Sequence, residues 1–183
     1  LDKAIEALAL TYEAMCGLSS AYDPALHELR PHPGQVKVAA RLRKMLRGSE
    51  LIDSRPQEVQ DTYSLRCAPQ VLGACMDSLL TAERTAEIEF NGASDNPLLI
   101  PDGKGEYRAV SGGNFHGEPV GLAADNAKIA ISEMASLAER WTALHIDPGF
   151  SRGLPPFLAR KPGLHSGLMI AQYTAAGLVS ENK

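Results

Sequence analysis

Residues 120–144, VGLAADNAKIAISEMASLAERWTAL, carry the most regular hydrophobic pattern in the sequence and decide its fold class. Apolar residues recur there at alternating steps of three and four positions, a period near 3.5 that keeps one face of a helix against a partner. The stretch therefore predicts a long helix lying nearly parallel or antiparallel to its neighbours. The residues of this stripe are Val120, Ala123, Ala127, Ala130, Met134, Leu137, Trp141 and Leu144.

The same stepping occurs in three further segments, residues 1–15, 72–86 and 164–178, and a shorter helix is expected over residues 35–47. The strict alternation of apolar and polar residues that is typical of half-buried strands is almost absent. We therefore predict an all-α fold built as a bundle of long helices.

Three turn-rich segments separate these helices, at residues 48–61, 91–114 and 147–163. The second contains several prolines and glycines and is expected to fold a short hairpin around residues 107–110. Long loops between long helices are uncommon unless they carry function. Candidate functional residues are therefore sought in these segments.

Composition limits the classes of protein to consider. The chain has 183 residues, of which 44% are hydrophobic and 22% charged, enough for the core of one domain or two at most. No apolar run approaches the roughly 20 residues that span a bilayer. A net charge of -4 and a pI near 5.7 differ from the strongly basic balance of a dedicated nucleic-acid binder. We expect neither a membrane nor a nucleic acid as partner.

The cysteines and the first residues bear on the compartment. Cys16, Cys67 and Cys75 are odd in number and have no close-paired ligand spacing, which predicts free, partly buried thiols in a reducing compartment. The chain opens in an amphipathic pattern without the basic and apolar regions of a signal peptide. We therefore expect a cytoplasmic protein.

Two other patterns are typical of ion binding but are weak here. Lys37, Arg41 and Lys44 form a basic stripe that can bind phosphate, although such runs are usually solvated helix faces. His116 and Glu118 match the H-x-E half of the zinc deaminases, but the P-C-x-x-C half is absent from the sequence. We predict no metal site.

The strongest candidate for chemistry is the spacing of Gln60, Tyr63 and Arg66, three apart, just before a helix expected to begin near Pro69. On a turn of helix, this spacing projects an amide, a phenol and a guanidinium to one side. Together they can clamp a carboxylate and place a phenolic acid or base beside it. An exposed loop with an ordinary arginine salt bridge also accounts for the spacing.

A second candidate lies at residues 111–116, which lead into the long helix. The paired Gly112 and Gly113 allow close approach of a ligand or a positive φ, and Asn114 can cap the helix. Structural capping explains this segment without any chemistry.

Several blocks, in the right order, strongly resemble the histidine ammonia-lyase and aromatic amino acid lyase family. They are QDTYSLRCAPQVLGA (60–74), SDNPLL (94–99), SGGNFHGEPVG (111–121), LPPFL (154–158) and SGLMIAQYTAA with SENK (166–183). The resemblance implies the central helical region of the ammonia-lyase/fumarase-like fold, in a homotetramer whose active sites combine three subunits. It also implies the electrophilic prosthetic group MIO (4-methylidene-imidazol-5-one), which forms from an internal Ala-Ser-Gly.

The resemblance assigns roles to individual residues. Tyr63 corresponds to an active-site tyrosine, Arg66 to the binder of the substrate carboxylate and Gln60 to its polar neighbour. Phe115 corresponds to a phenylalanine near the prosthetic group and the substrate ring, while Asn114 and His116 share its block without an assigned role. The implied reaction is elimination of ammonia from a small amino-acid substrate, with histidine favoured. A phenylalanine or tyrosine ammonia-lyase and a 2,3-aminomutase are alternatives, and a catalytically inactive helical scaffold subunit is an alternative of another class.

The sequence also departs from the family pattern. It contains no Ala-Ser-Gly, and the base-bearing loop expected before Gln60 is missing. We therefore expect a fragment of a longer chain, inactive by itself, with helices and a loop over residues 1–59. Residues 60–183 are expected to form the central helical bundle with its active-site loops.

Overall fold

The computed structural model describes residues 1–182 and is mostly helical, as predicted. Within these residues it contains seven α-helices, two short 3₁₀ turns and one hairpin of two strands. The helices are α1 (Asp2–Ala14), α2 (Pro24–Glu28), α3 (Pro33–Met45), α4 (Tyr63–Arg66), α5 (Ala68–Asn91), α6 (Glu118–Ile146) and α7 (Met169–Glu181), and the strands are β1 (Leu98–Pro101) and β2 (Tyr107–Val110). The all-α prediction is confirmed. Lys183, the last residue of the predicted 60–183 segment, lies outside the described residues.

The last predicted helix begins later than its hydrophobic stripe indicates. Leu164 and Leu168 precede α7, which begins only at Met169. Pro162 bridges to His165 in this segment, so the backbone there is not helical. Positive φ angles at Gly163 and Gly167, 90° and 52°, further delay the helix. The spacing of the two leucines was therefore misleading.

The chain divides into two compact units, residues 1–77 with the residues from 130 onward, and residues 78–129. In the first unit, one hydrophobic core joins α1, α3, α4, the start of α5 and the end of α6. Leu65 and Leu72 belong to this core together with Ile5 and Leu42. The sequence predicts a boundary after residue 59, where the family resemblance becomes firm. That boundary stays a prediction.

Helices α3 and α5 approach each other closely through two glycines in the first unit. A Cβ atom on Gly34 would lie 2.1 Å from the carbonyl oxygen of Gly73, and one on Gly73 would lie 2.3 Å from the backbone nitrogen of Gln35. No side chain fits at such distances, so this crossing requires glycine at both positions. It fixes the beginning of α5, which follows the candidate site directly.

In the second unit, β1 and β2 pair as an antiparallel hairpin, with Leu98 opposite Val110 and Pro101 opposite Tyr107. The predicted hairpin is thus confirmed. Its turn is closed by Asp102, whose carboxylate oxygen accepts hydrogen bonds from the backbone N–H groups of Lys104 and Glu106.

Helix α7 has no buried residue within the described part of the chain, although it is rich in apolar side chains. Ile170, Tyr173 and Leu178 are each more than half exposed, at 59%, 61% and 57%. None of the helices formed by residues 1–182 combines the length and the apolar character needed to cross a membrane.

Candidate functional site

The four-residue helix α4 carries Tyr63 and Arg66 and is held by two buried donors from distant parts of the first unit. The Tyr12 hydroxyl donates to the Leu65 carbonyl at 3.1 Å. The indole Nε1 of Trp141 donates to the Ser64 carbonyl at 2.7 Å. A single helical turn has little stability of its own, so these tertiary bonds fix its orientation.

Burial widens the pH range over which the Tyr12 hydroxyl stays protonated. Tyr12 has no exposed surface, and burial, reinforced by the negative charge of Asp61, raises the pKa of its phenol well above its ordinary value. The hydroxyl therefore remains a hydrogen-bond donor to the α4 turn at any physiological pH.

The segment that enters α4 is anchored by Asp61, whose side chain is completely buried. One carboxylate oxygen accepts from the Leu18 backbone N–H at 2.7 Å, and the other accepts from Arg152 at 2.8 Å. Arg152 also donates to the carbonyls of Met15 and Cys16, just beyond the end of α1. A buried carboxylate needs such partners, because leaving it unpaired is strongly destabilising.

Gln60 and Arg66 line one cavity of about 250 Å³ beside this anchor. The Nε atom of Arg66 is buried and has no hydrogen-bond partner, and the same holds for Oε1 of Gln70. Within residues 1–182, the salt bridges do not include Arg66. The ordinary salt bridge that the sequence left open is therefore not formed. The remaining lining residues are Ser20, Ala21, Leu26, Asp61 and Cys67.

Tyr63 occupies a different position from Gln60. Its side chain is 71% exposed, and its ring lies under the Arg66 guanidinium, 4.4 Å from ring centroid to Cζ. This cation–π contact restrains the guanidinium without using its N–H groups. The structure thus joins all three predicted residues through Arg66, although Tyr63 does not line the cavity.

The second candidate segment lies in the second unit. Asn114 and His116 line a cavity of about 320 Å³ there, and the Phe115 side chain is 62% exposed. The cap that the sequence allowed at Asn114 is not formed, because α6 begins only at Glu118, and the Nδ2 of Asn114 donates instead to the Ala93 carbonyl. His116 takes that role instead: its Nδ1 accepts from the Glu118 backbone N–H, where α6 begins.

The loop before Asn114 is held by Asn96. Its Oδ1 accepts from the Ser111 hydroxyl at 2.9 Å and from the Gly112 backbone N–H at 2.7 Å. Neither Gly112 nor Gly113 has a positive φ, and a Cβ on either would meet no atom within 4 Å. Of the two roles that the sequence allowed for these glycines, a positive φ is therefore not adopted, and no contact within the described residues requires glycine there.

The structure also bears on the predictions for the basic stripe, the cysteines and metal binding. In the basic stripe, Arg41 pairs with Asp2, and the neighbouring Arg43 donates to the Tyr22 carbonyl. The three cysteines are free, and Cys75 is buried, as predicted. Across residues 1–182, no group of three or more His, Cys, Asp or Glu side chains is arranged to hold a metal ion.

Four residues that support or line the site around Arg66 were not predicted from the sequence: Tyr12, Trp141, Arg152 and Gln70. Tyr12 and Trp141 were assigned to apolar stripes, where their polar atoms left no signal. Arg152 stands in a turn-rich segment far along the chain from Asp61. Only Gln70 has a local signal, since it lies four residues after Arg66 in the sequence, in the first turn of α5.

Known proteins are similar to this chain over almost its whole length. A family model described as aromatic amino acid lyase matches residues 1–183. A histidine ammonia-lyase of Treponema denticola is 47% identical over 175 residues, which are 96% of this chain and 34% of that protein. The chain therefore spans about a third of that relative's length.

Two solved structures extend the likeness to the fold. The histidine ammonia-lyase of Trypanosoma cruzi is 43% identical, with a TM-score of 0.84 over 98% of this chain and 32% of its own. The tyrosine aminomutase of Streptomyces globisporus is 38% identical, with a TM-score of 0.91 over 98% of this chain and 38% of its own. The chain described here belongs to the aromatic amino acid lyase family.

Proposed function

We propose that this chain is part of an ammonia-lyase that eliminates ammonia from histidine to give urocanate. The observation that carries the proposal is the buried, unpartnered Nε–H of Arg66 in a cavity that Gln60 shares. Because the chain covers 34% of the length of its relative from Treponema denticola, the activity is proposed for the complete lyase.

The chemistry explains why an arginine in this position is useful. Elimination requires loss of a barely acidic β-proton and departure of a poor leaving group, so the substrate must be held in one orientation. A guanidinium offers a planar pair of N–H groups that matches a carboxylate. Arg66, restrained by the Tyr63 ring and by the anchored α4 turn, is suited to hold the substrate carboxylate, and the Gln60 amide adds a polar neighbour on the same cavity.

Tyr63 is the proposed catalytic residue of this segment. Its phenol is exposed and linked to Arg66 by the cation–π contact, so it lies next to the group that is proposed to hold the substrate. A phenol in that position can donate or accept a proton near the reacting carbons.

The prosthetic group of the family is MIO, which supplies an electrophile that activates the amine as a leaving group. None of its atoms comes from these 183 residues, because they contain no Ala-Ser-Gly. The exposed ring of Phe115 fits a group delivered from outside this chain, since 62% of its surface is uncovered within it. Phe115 would pack near MIO and the substrate ring, and Asn114 and His116 lie beside it.

We further propose a homotetramer in the cytoplasm, acting on a small amino acid. Apolar side chains that stay exposed on α7 support assembly, because soluble proteins rarely leave large apolar patches uncovered. Sedimentation of the complete lyase should give the mass of four subunits, and a stable monomer would contradict this part of the proposal.

A second candidate function is supported by the aminomutase structure. At 38% identity and a TM-score of 0.91, a tyrosine aminomutase is at least as similar in fold as the histidine ammonia-lyase of Trypanosoma cruzi. A tyrosine or phenylalanine ammonia-lyase or 2,3-aminomutase is therefore the alternative. An aminomutase returns the ammonia to the β-carbon, so its product is a β-amino acid rather than an unsaturated acid. The inactive scaffold is the remaining alternative.

The test is incubation of the complete lyase with histidine, tyrosine and phenylalanine, following the ultraviolet absorbance of each unsaturated product and analysing for β-amino acids. We expect urocanate from histidine and no product from the 183-residue chain alone, which has neither the electrophile nor the principal base. Turnover of tyrosine or phenylalanine would favour the second candidate. Absence of any product from the complete lyase would favour the scaffold.

A further inference from the structure

Two side chains that line the Arg66 cavity each carry a buried polar atom without a partner, and the two atoms have opposite hydrogen-bonding character. Nε of Arg66 is a donor, and Oε1 of Gln70 is an acceptor. Both side chains line the same cavity, where Arg66 is the last residue of α4 and Gln70 lies in the first turn of α5. A buried polar atom without a partner is unfavourable, so such a pair indicates a ligand that satisfies both.

We propose that Gln70 is a substrate-binding residue, whose side-chain carbonyl accepts a hydrogen bond from the α-amino group of the amino acid while Arg66 holds its carboxylate. This inference rests on the proposed function and extends it to a residue that neither the sequence nor the family resemblance assigned. An α-amino acid carries an acceptor and a donor on one carbon, which is the complement of the Arg66 and Gln70 pair.

Asp61, the other charged residue that lines the cavity, is not available to bind the substrate amino group. Asp61 also lines the cavity, but its two carboxylate oxygens already accept from the Leu18 backbone N–H and from Arg152. Its charge is neutralised by Arg152, so Asp61 does not need the substrate ammonium as a partner.

A neutral acceptor also suits the reaction better than a carboxylate would. An amide oxygen accepts from either an ammonium or a neutral amine, whereas a carboxylate strongly favours the ammonium. Gln70 can therefore orient the amine in the ground state without holding it in the protonated form that cannot act as a nucleophile.

The experiment compares three ligands on the complete lyase. L-histidine has both groups, histidinol keeps the amine but lacks the carboxylate, and 3-(imidazol-4-yl)propanoate keeps the carboxylate but lacks the amine. Affinity is measured as KM for histidine and as a calorimetric Kd for the other two. If tyrosine or phenylalanine is the substrate, the corresponding series is used.

Gln70→Leu should raise KM for histidine and Kd for histidinol about five- to tenfold, and change Kd for the propanoate less than twofold. Arg66→Lys should show the opposite pattern, weakening histidine and the propanoate and sparing histidinol. Gln70→Glu keeps an acceptor and should therefore bind histidinol at least as well as the unsubstituted lyase. It also serves as the second variant if the leucine does not fold, as judged by circular dichroism.

The experiment distinguishes failure of the proposed function from failure of the proposed role of Gln70. If the unsubstituted lyase binds none of the three ligands, the proposed function is wrong. If it binds all three and Gln70→Leu changes histidinol and the propanoate equally, or neither, the role of Gln70 is wrong while the proposed function stands. Weaker histidinol binding in Gln70→Glu would also overturn the inference, because it would assign the amide N–H to the ligand.

Discussion

The two candidate segments differ in what holds them. Residues 60–66 are tied to distant parts of the first unit by side chains that are buried or nearly so, among them Tyr12, Trp141 and Arg152. Residues 114–116, in the second unit, are tied to nearby loop and helix backbone, and Phe115 stays 62% exposed. The first segment is therefore preorganised by this chain, whereas the second leaves the Phe115 ring uncovered within it.

This difference separates two tasks of the proposed site. Holding a carboxylate requires N–H groups fixed before the substrate arrives, because reorganisation costs binding energy. Packing against an aromatic ring needs only an apolar surface, which the exposed Phe115 side chain provides.

Removing the cation that anchors residues 60–66 should have the largest effect. Arg152→Met leaves the Asp61 carboxylate buried without its partner, which is expected to cost about 3–5 kcal/mol in the free energy of unfolding. The exposed Arg160, in the same turn-rich segment, provides the matched control, and Arg160→Met should change stability by less than about 0.5 kcal/mol. Equal effects on urea denaturation of the complete lyase would show that the anchor is unimportant.

Replacing Arg66, the proposed binder of the substrate carboxylate, should weaken substrate binding. Arg66→Lys replaces a planar two-point donor by a point charge and should raise KM sharply. The loss of charged hydrogen bonding, about 2–3 kcal/mol, corresponds to a rise of roughly 30- to 150-fold. Steady-state kinetics on the complete lyase measure it, and an unchanged KM would make Arg66 a structural residue.

Removing one tie to the α4 turn should have a moderate effect. Tyr12→Phe deletes only the hydroxyl that donates to the Leu65 carbonyl, and should cost about 1 kcal/mol of stability. The same substitution at Tyr173, whose ring is 61% exposed, is the control and should be neutral. We also expect Tyr12→Phe to raise KM, since the turn that carries Arg66 loses a support. Equal thermal midpoints for the two variants would contradict the preorganised first segment.

Acidification should weaken the first unit. His27 is buried, with Nε2 3.1 Å from the Ala21 carbonyl, and burial lowers its pKa; burial also lowers the pKa of His145. The unfolded chain then binds protons below about pH 6.5 that the folded chain does not, so stability is full above that pH and falls below it. The slope is at most about 1.4 kcal/mol per pH unit for each histidine.

This pH dependence is checked by urea denaturation between pH 7.5 and 5.5. The slope should become shallower in His27→Gln, but not in the same substitution at the exposed His165. Greater stability at pH 5.5 than at pH 7.5 would contradict the sign of the effect.

The smallest effect on stability is expected in the second segment. Phe115→Ala removes a side chain that is 62% exposed in this chain, so the chain's own packing predicts a loss below about 0.5 kcal/mol. KM should still rise, because the ring is proposed to pack near the substrate. A large loss of stability in the isolated chain, together with an unchanged KM in the complete lyase, would assign Phe115 to the core.

The sequence predicted what depends on local patterns. Stripes of period 3.5 located the long helices, and the block around Gln60, Tyr63 and Arg66 located the cavity that two of them line. The late start of α7 was missed, because Gly167, with a positive φ, interrupts a stripe whose spacing alone looks helical. The ties of Tyr12 and Arg152 could not be predicted, since they join residues 53 and 91 positions apart and depend on the folded path of the chain.

The most direct test of the central claim, that a preorganised Arg66 binds the substrate carboxylate, is a crystal structure of the complete lyase with 3-(imidazol-4-yl)propanoate. We predict a carboxylate oxygen about 3 Å from a guanidinium nitrogen of Arg66, with the Tyr12 and Trp141 bonds to the α4 turn still in place. A carboxylate held by other residues, with the Arg66 guanidinium turned away from the ligand, would contradict the account.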